Sequence, residues 1–149
     1  MAKAVATRKR KAQTGSSGDS RPSGISGFAE EALPFAADFF DADGAIAADR
    51  VAKAFCLTKF QLADILGLAR ETLYKSSRAR APKTQARMRE MLEIIGLVED
   101  WAGGKLQAMA WYRAHSIVGF GRTAESLVKS GHASAVRDHI DRIALGGFA

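Results

Sequence analysis

Apolar positions along this chain recur at helical spacing, and no alternation of period two persists anywhere. Phe28, Leu33, Phe35, Phe39 and Phe40 mark a short amphipathic segment. An Asp41–Gly44 turn follows; it lacks the later ligands of a calcium loop. Ile46 to Phe55 then reads as a helix with Ile46, Val51, Ala54 and Phe55 on its apolar side. Thr58 opens the next helix. Its hydroxyl can accept from the free N–H groups of the first turn, Gln61 can reach back, and Leu57 and Leu62 can close across the cap. That helix runs through Ala63, Ile65 and Leu66 and stops at Gly67, which tolerates the left-handed conformation of a helix end. Leu68 follows as a plug, and Ala69–Ser76 is predicted as a second short helix. Pro82 starts a longer one, lined on one side by Met88, Met91, Leu92, Ile95 and Val98 as far as Trp101 and ended by Gly103-Gly104. Three short helical stretches fill the remainder. The last carries Val136, Ile140 and Ile143 as one stripe and closes at Gly146, and Trp111 is expected to anchor their packing. The pattern predicts an all-α chain without internal repeats.

The spacing in the middle points to a function. Ala63 is small where two helices approach, Gly67 sits at a sharp turn, and Leu62, Leu66, Leu68 and Leu73 fill the wedge between them. This is the layout of a helix-turn-helix over 58–76, whose second helix lies in the major groove of DNA. With Leu73 inward, Arg70, Glu71, Tyr74 and Lys75 face outward. Arg70 can fork onto guanine and Glu71 can accept from a cytosine amino group. Lys75, Arg78, Arg80 and Lys83 suit phosphate contacts. Ala69, at the N-cap of the reading helix, supplies no capping oxygen, a deficit of about 1 kcal/mol. The alternative reading of these charges is a solvated helix exterior.

Charge sharpens this picture. Of the 149 residues, 1–27 hold six basic side chains and one acid, so a net +5 sits there and only +1 on the remaining 122. That tail is rich in Gly and Ser, poor in large apolar groups, and expected to be disordered, either as a solubilising linker or as an arm adding phosphate affinity through Arg8–Lys11. Residues 28–58 swing to −4, whereas 59–89 carry eight basic side chains against Asp64 and Glu71. The steepest positive charge of the folded part therefore falls on the helix-turn-helix. Domains are expected at 28–101 and 102–149.

Other classes drop out. One cysteine, Cys56, forms no internal disulfide; it is expected in the interior, and a reducing, cytoplasmic compartment is expected for the chain. No apolar run approaches the roughly 18 residues of a membrane span. His115, His132 and His139, spaced by 17 and 7 residues, match no compact zinc motif, so neither a metal nor a cofactor is expected. Gly119–Gly121 follows no strand, and no nucleophile–base arrangement is discernible, so the chain is not read as an enzyme.

The last third carries Trp111, Arg113, Gly121-Arg122-Thr123, Leu127-Val128, Gly131, Ala135-Val136, Asp141-Arg142-Ile143 and Gly146-Gly-Phe-Ala149. This stretch resembles the C-terminal toxin-binding domain of the Xre/MbcA/ParS antitoxins, in which an Xre-like helix-turn-helix precedes the module. The resemblance covers roughly residues 45–149. It implies an antitoxin, commonly a dimer, paired with a bacterial RES-domain toxin that consumes NAD or uses it to ADP-ribosylate a target. The antitoxin's C-terminal module covers the toxin's active site, and its helix-turn-helix binds operator DNA and represses the operon. Carried onto this chain, Arg113, Arg122, Arg142 and Phe148 are the expected toxin contacts. Ala124, His132 and His139 depart from the family's usual proline, arginine and tyrosine. A stand-alone helix-turn-helix repressor is the alternative reading.

Overall fold

The computed structural model describes residues 32–147. The expected tail over 1–27, Phe28, the Leu33 side chain and Phe148 lie outside the described residues. Among the described residues the chain is mostly helical. In order it forms α1 (Leu33–Ala36), α2 (Ala48–Ala54), α3 (Lys59–Leu66), α4 (Ser76–Ala79), α5 (Pro82–Ala102) and α6 (Lys105–Ala114). A two-stranded antiparallel sheet of β1 (Ser116–Ile117) and β2 (Arg122–Thr123) follows, then α7 (Ala124–Lys129) and α8 (Ala133–Ala144). Ser116 pairs with Thr123 and Ile117 with Arg122. This small hairpin and an isolated bridge between Phe40 and Ile46 are the departures from an all-α chain among the described residues. Two residues a side are too few to leave the alternating pattern by which strands are read.

The core is organised around α5. Met88, Met91, Leu92, Ile94, Ile95 and Val98 are fully buried, because α5 packs against α1, α3, α4, α6, α7 and α8. One cluster of buried apolar side chains runs from Ala32 to Ile140, and the boundary expected at 101/102 falls in the last turn of α5, just before the Gly103-Gly104 turn into α6. Two polar ties fasten the last helices to α5. Arg87 Nη1 donates to the Val128 and Lys129 carbonyls at 2.7 and 2.8 Å. Arg137 Nε meets Glu93 Oε1 at 2.5 Å, with Glu93 only 5% exposed.

Local signals explain the helix ends. Thr58 Oγ1 accepts from Gln61 N, and Gln61 Oε1 accepts from Thr58 N, forming the reciprocal cap expected there. Gly67 ends α3 at φ 71, and a Cβ placed there would sit 3.0 Å from Lys129 Cγ. Gly67→Ala is therefore expected to cost about 1–2 kcal/mol from backbone strain alone, read as a lower urea midpoint at unchanged slope. Pro82 opens α5 and Gly103 closes it. Val136 and Ile140 are buried while Ile143 is half-buried.

Three expectations are corrected. The helix read from Ile46 starts at Ala48, because Ile46 instead bridges to Phe40 and donates its N–H to Gln85 Oε1 at 2.8 Å. Cys56 is exposed, not interior. It takes φ 56 just past α2, and the reversal, with Leu57 N donating to the Ala52 carbonyl, turns Phe55 inward and the thiol outward. The third correction bears on function: Ala69–Ser76 is not a continuous helix. A 3-10 turn covers Thr72–Tyr74, Lys75 is extended at φ −107 and ψ 122, and α4 begins only at Ser76. Neither short piece has a side-chain cap, and Leu73 is the only buried side chain in 69–79. So short a stretch gains too little from packing to offset helix nucleation.

Candidate functional site

Two groups of exposed side chains stand apart on the shared core. The first follows α3. Leu73 is 2% exposed, and around this anchor Arg70, Glu71, Tyr74, Lys75, Arg78 and Arg80 are all exposed, as the sequence predicts. Their engagements differ. Arg80 Nη2 lies 2.6 Å from Asp41 Oδ2 and 3.3 Å from Asp43 Oδ2, so its charge is largely spent on the acidic turn. Burial pushes the Asp41 carboxyl up, but backbone N–H groups of Ala45 and Asp43, then Arg80 and Arg50, outweigh it and hold the carboxyl below its ordinary range. Arg70 is only loosely paired, 3.9 Å from Asp64. Lys75, Arg78 and Lys83 are exposed and have no ion pair among the described residues. Arg87, counted in the basic stretch, belongs instead to the α5–α7 tie. The charge available to a polyanion is thus concentrated in Arg70, Lys75, Arg78 and Lys83.

Two exposed aromatic rings complete this face. Phe60 and Tyr74, 40% and 53% exposed, meet with ring centroids 4.9 Å apart and planes 50° apart. Lys59 Nζ stands 5.2 Å from the Tyr74 centroid, and the Arg70 guanidinium 5.3 Å from that of Phe60. Sequence reasoning missed Phe60. The signal was its helical position: four residues before exposed Asp64, it lies off the buried stripe of Leu62, Ala63, Ile65 and Leu66.

The second group lies in the last helices and the hairpin. Arg113, Arg122 and Arg142 are exposed. Arg113 Nε already pairs with Glu125 Oε1 at 3.3 Å. Arg122 is held by the end of α7: Nε donates to Ser126 Oγ at 3.0 Å, and Nη2 to the Ser126 carbonyl and Ser130 Oγ at 2.9 and 3.0 Å. Arg142 keeps its guanidinium outward while its carbonyl accepts from Gly147 N at 2.7 Å, closing α8. The hairpin tip adds Val118 and Phe120, 55% and 48% exposed. Trp111 is half-buried, edge-on to Trp101 at 5.6 Å and stacked on His115 at 5.1 Å.

Behind this surface is a seam with unusual polarity. His115 and His139 come together with ring centroids 5.8 Å apart, although 24 residues separate them in the chain. His139 is 1% exposed, and the Nε2 atoms of both rings are buried without a hydrogen-bond partner among the described residues, as is the hydroxyl of Tyr112. Burial, then the Glu125 and Glu90 charges, push the Tyr112 phenol far above its ordinary value. Burial first, then His115 and Arg142, hold the His139 imidazole below its ordinary 6.5. The unfolded chain therefore takes up this proton before the folded one. Stability is expected to be unaffected by His139 above pH 6.5, and to decline as pH falls from 6.5 toward the lowered folded value. Urea midpoints measured across that window check this, and His139→Phe should flatten the decline. No group of three or more His, Cys, Asp or Glu side chains able to hold a metal occurs among the described residues, and none of their helices is long and apolar enough to cross a membrane.

No family model, curated protein or solved structure matches this chain.

Proposed function

We propose that this chain is a bacterial, cytoplasmic antitoxin with two binding roles and no catalysis of its own. Its last helices cover the active site of a RES-domain toxin that consumes NAD or uses it for ADP-ribosylation. Its middle binds operator DNA as a homodimer and represses the operon. One observation carries the reading: the side chains the two roles need are exposed in two separate segments of a single core. Arg70, Lys75 and Arg78 follow α3, and Arg113, Arg122 and Arg142 lie from α6 to α8. The residue-by-residue resemblance from Trp111 onward supports the assignment of the second segment. Arginine suits it, because a planar guanidinium fork matches the carboxylates and phosphate-like groups of a nucleotide site. The capped α3 and its left-handed Gly67 support the first.

Co-expression with a RES-domain toxin, followed by affinity purification, tests the toxin role; a complex with suppressed NAD turnover is expected. For the DNA role, Lys75→Ala should weaken binding to all sequences alike and lower the salt slope by about 1, as for one lost phosphate contact. Filter binding across a salt series reads both quantities.

A stand-alone repressor is favoured by a different observation. Arg113 and Arg122 already hold partners within the chain, so neither needs a second protein to satisfy it. That reading predicts intact DNA binding and no co-purifying enzyme.

A further inference from the structure

The cleft beside Tyr74 has features that a duplex-reading helix does not call for. It opens between the Asp41 turn, the start of α2 and the segment 73–80, with a volume of about 230 Å³. Its floor is apolar, from Ile46 and Leu73, and Tyr74 forms one wall. The charges at its rim are paired with each other, Lys59 with Asp49 at 2.8 Å and Arg80 with Asp41 at 2.6 Å, so the cleft itself suits an uncharged ring while Arg70, Lys75 and Arg78 remain for phosphates. Ligand pockets for drug-sized molecules begin at about 300 Å³, so this one suits a single planar ring system. Tyr74 leans on Phe60, with Lys59 over the Tyr74 ring and Arg70 over that of Phe60. Exposed aromatic rings alternating with cations are how proteins hold unpaired bases, each base stacking on a ring while cations follow the phosphates. The interrupted backbone at 69–76 fits the same role. It keeps Tyr74 and Arg70 at the surface on a 3-10 turn and its approach, where neither is packed under a neighbouring helix.

We infer that this cleft, with the exposed Tyr74 ring as its wall and Phe60 supporting that ring from outside it, binds an unpaired base of a single-stranded nucleic acid. The inference rests on the proposed nucleic-acid role of the segment after α3, and adds an unpaired strand to the duplex as a substrate of that segment.

The test uses the full chain with a fluorescently labelled oligothymidylate and a duplex of equal length at matched ionic strength. A second single-stranded oligonucleotide carries a central 2-aminopurine, whose emission is quenched when it stacks. The wild-type chain is expected to bind the single strand and quench the 2-aminopurine. Tyr74→Leu should weaken single-strand binding about tenfold and remove the quenching, while Tyr74→Phe keeps both. Whatever Tyr74→Leu costs on the duplex, its loss on the single strand should be at least about fivefold larger, and Tyr74→Phe should leave the ratio of the two affinities as in the wild type. Tyr74 is half exposed, and equal melting temperatures verify that the fold is kept. Duplex binding with no single-strand binding overturns the inference and leaves the duplex reading standing. Failure to bind either nucleic acid overturns both. An equal loss on the two substrates in Tyr74→Leu also overturns the inference, because the ring would then only shape the basic face.

Discussion

Leu73→Ala is expected to cost about 2–4 kcal/mol and to remove nucleic-acid binding without touching a charge. Leu73 is 2% exposed and is the only buried side chain between Ala69 and Ala79. Its removal deletes the anchor of the whole basic segment and leaves a cavity in the wedge beside α3. The remaining holds are weaker: the Gln85 Nε2 bond to the Ala79 carbonyl at 2.9 Å, the half-exposed Phe60–Tyr74 contact, and the Arg80–Asp41 ion pair, which as an exposed pair contributes about 1 kcal/mol or less. Urea unfolding should show a lowered midpoint. Hydrogen exchange should show amides from 69 to 80 losing protection ahead of those in α5. Equal stability and unchanged exchange would mean that the segment is not held by this side chain.

Arg137→Ala carries the second large effect, about 1–3 kcal/mol. Glu93 is 5% exposed on α5, and Arg137 reaches it from α8 at 2.5 Å with about a third of its own side chain open to water. Removing the arginine takes a charge-assisted bond from a buried carboxylate, whereas Glu93→Gln leaves an arginine that can turn to solvent. The cost should therefore be asymmetric, larger for Arg137→Ala than for Glu93→Gln. The double variant Glu93→Leu/Arg137→Met should recover much of the loss, since a well-packed apolar pair often matches a buried ion pair in stability. Toxin inhibition should fall with the stability of Arg137→Ala, because α8 carries Arg142 and is fastened to α5 by this pair.

Much of the fold was legible because its signals are local. Thr58 with Gln61, Gly67, Pro82 and Gly103 each act within one helical turn, and each ends or starts a helix where expected. The stripe of α5 was legible for the same reason, being a periodicity that neighbouring residues alone define. What failed depends on distant partners. Nothing near Ala69 indicates that only Leu73 would find a buried site, so spacing predicted a helix where a 3-10 turn and an extended Lys75 occur. Cys56 is turned outward by a left-handed chain reversal, φ 56, while its neighbour Phe55 takes the buried site in the core. The outward position of the candidate basic residues was legible, but not their engagements. Arg80 is spent on Asp41, 39 residues away, Arg87 on α7 and Arg113 on Glu125. The meeting of His115 with His139 is likewise invisible in their spacing.

NAD consumption by a purified RES-domain toxin, followed as this chain is titrated in, is the most direct measurement of whether the closing helices occlude an enzyme. The proposed occlusion predicts turnover falling linearly to a stoichiometric end point, with Arg122→Glu requiring a large excess to reach it. Undiminished turnover at saturating chain, with operator binding intact, would contradict it and leave a repressor that acts on DNA alone.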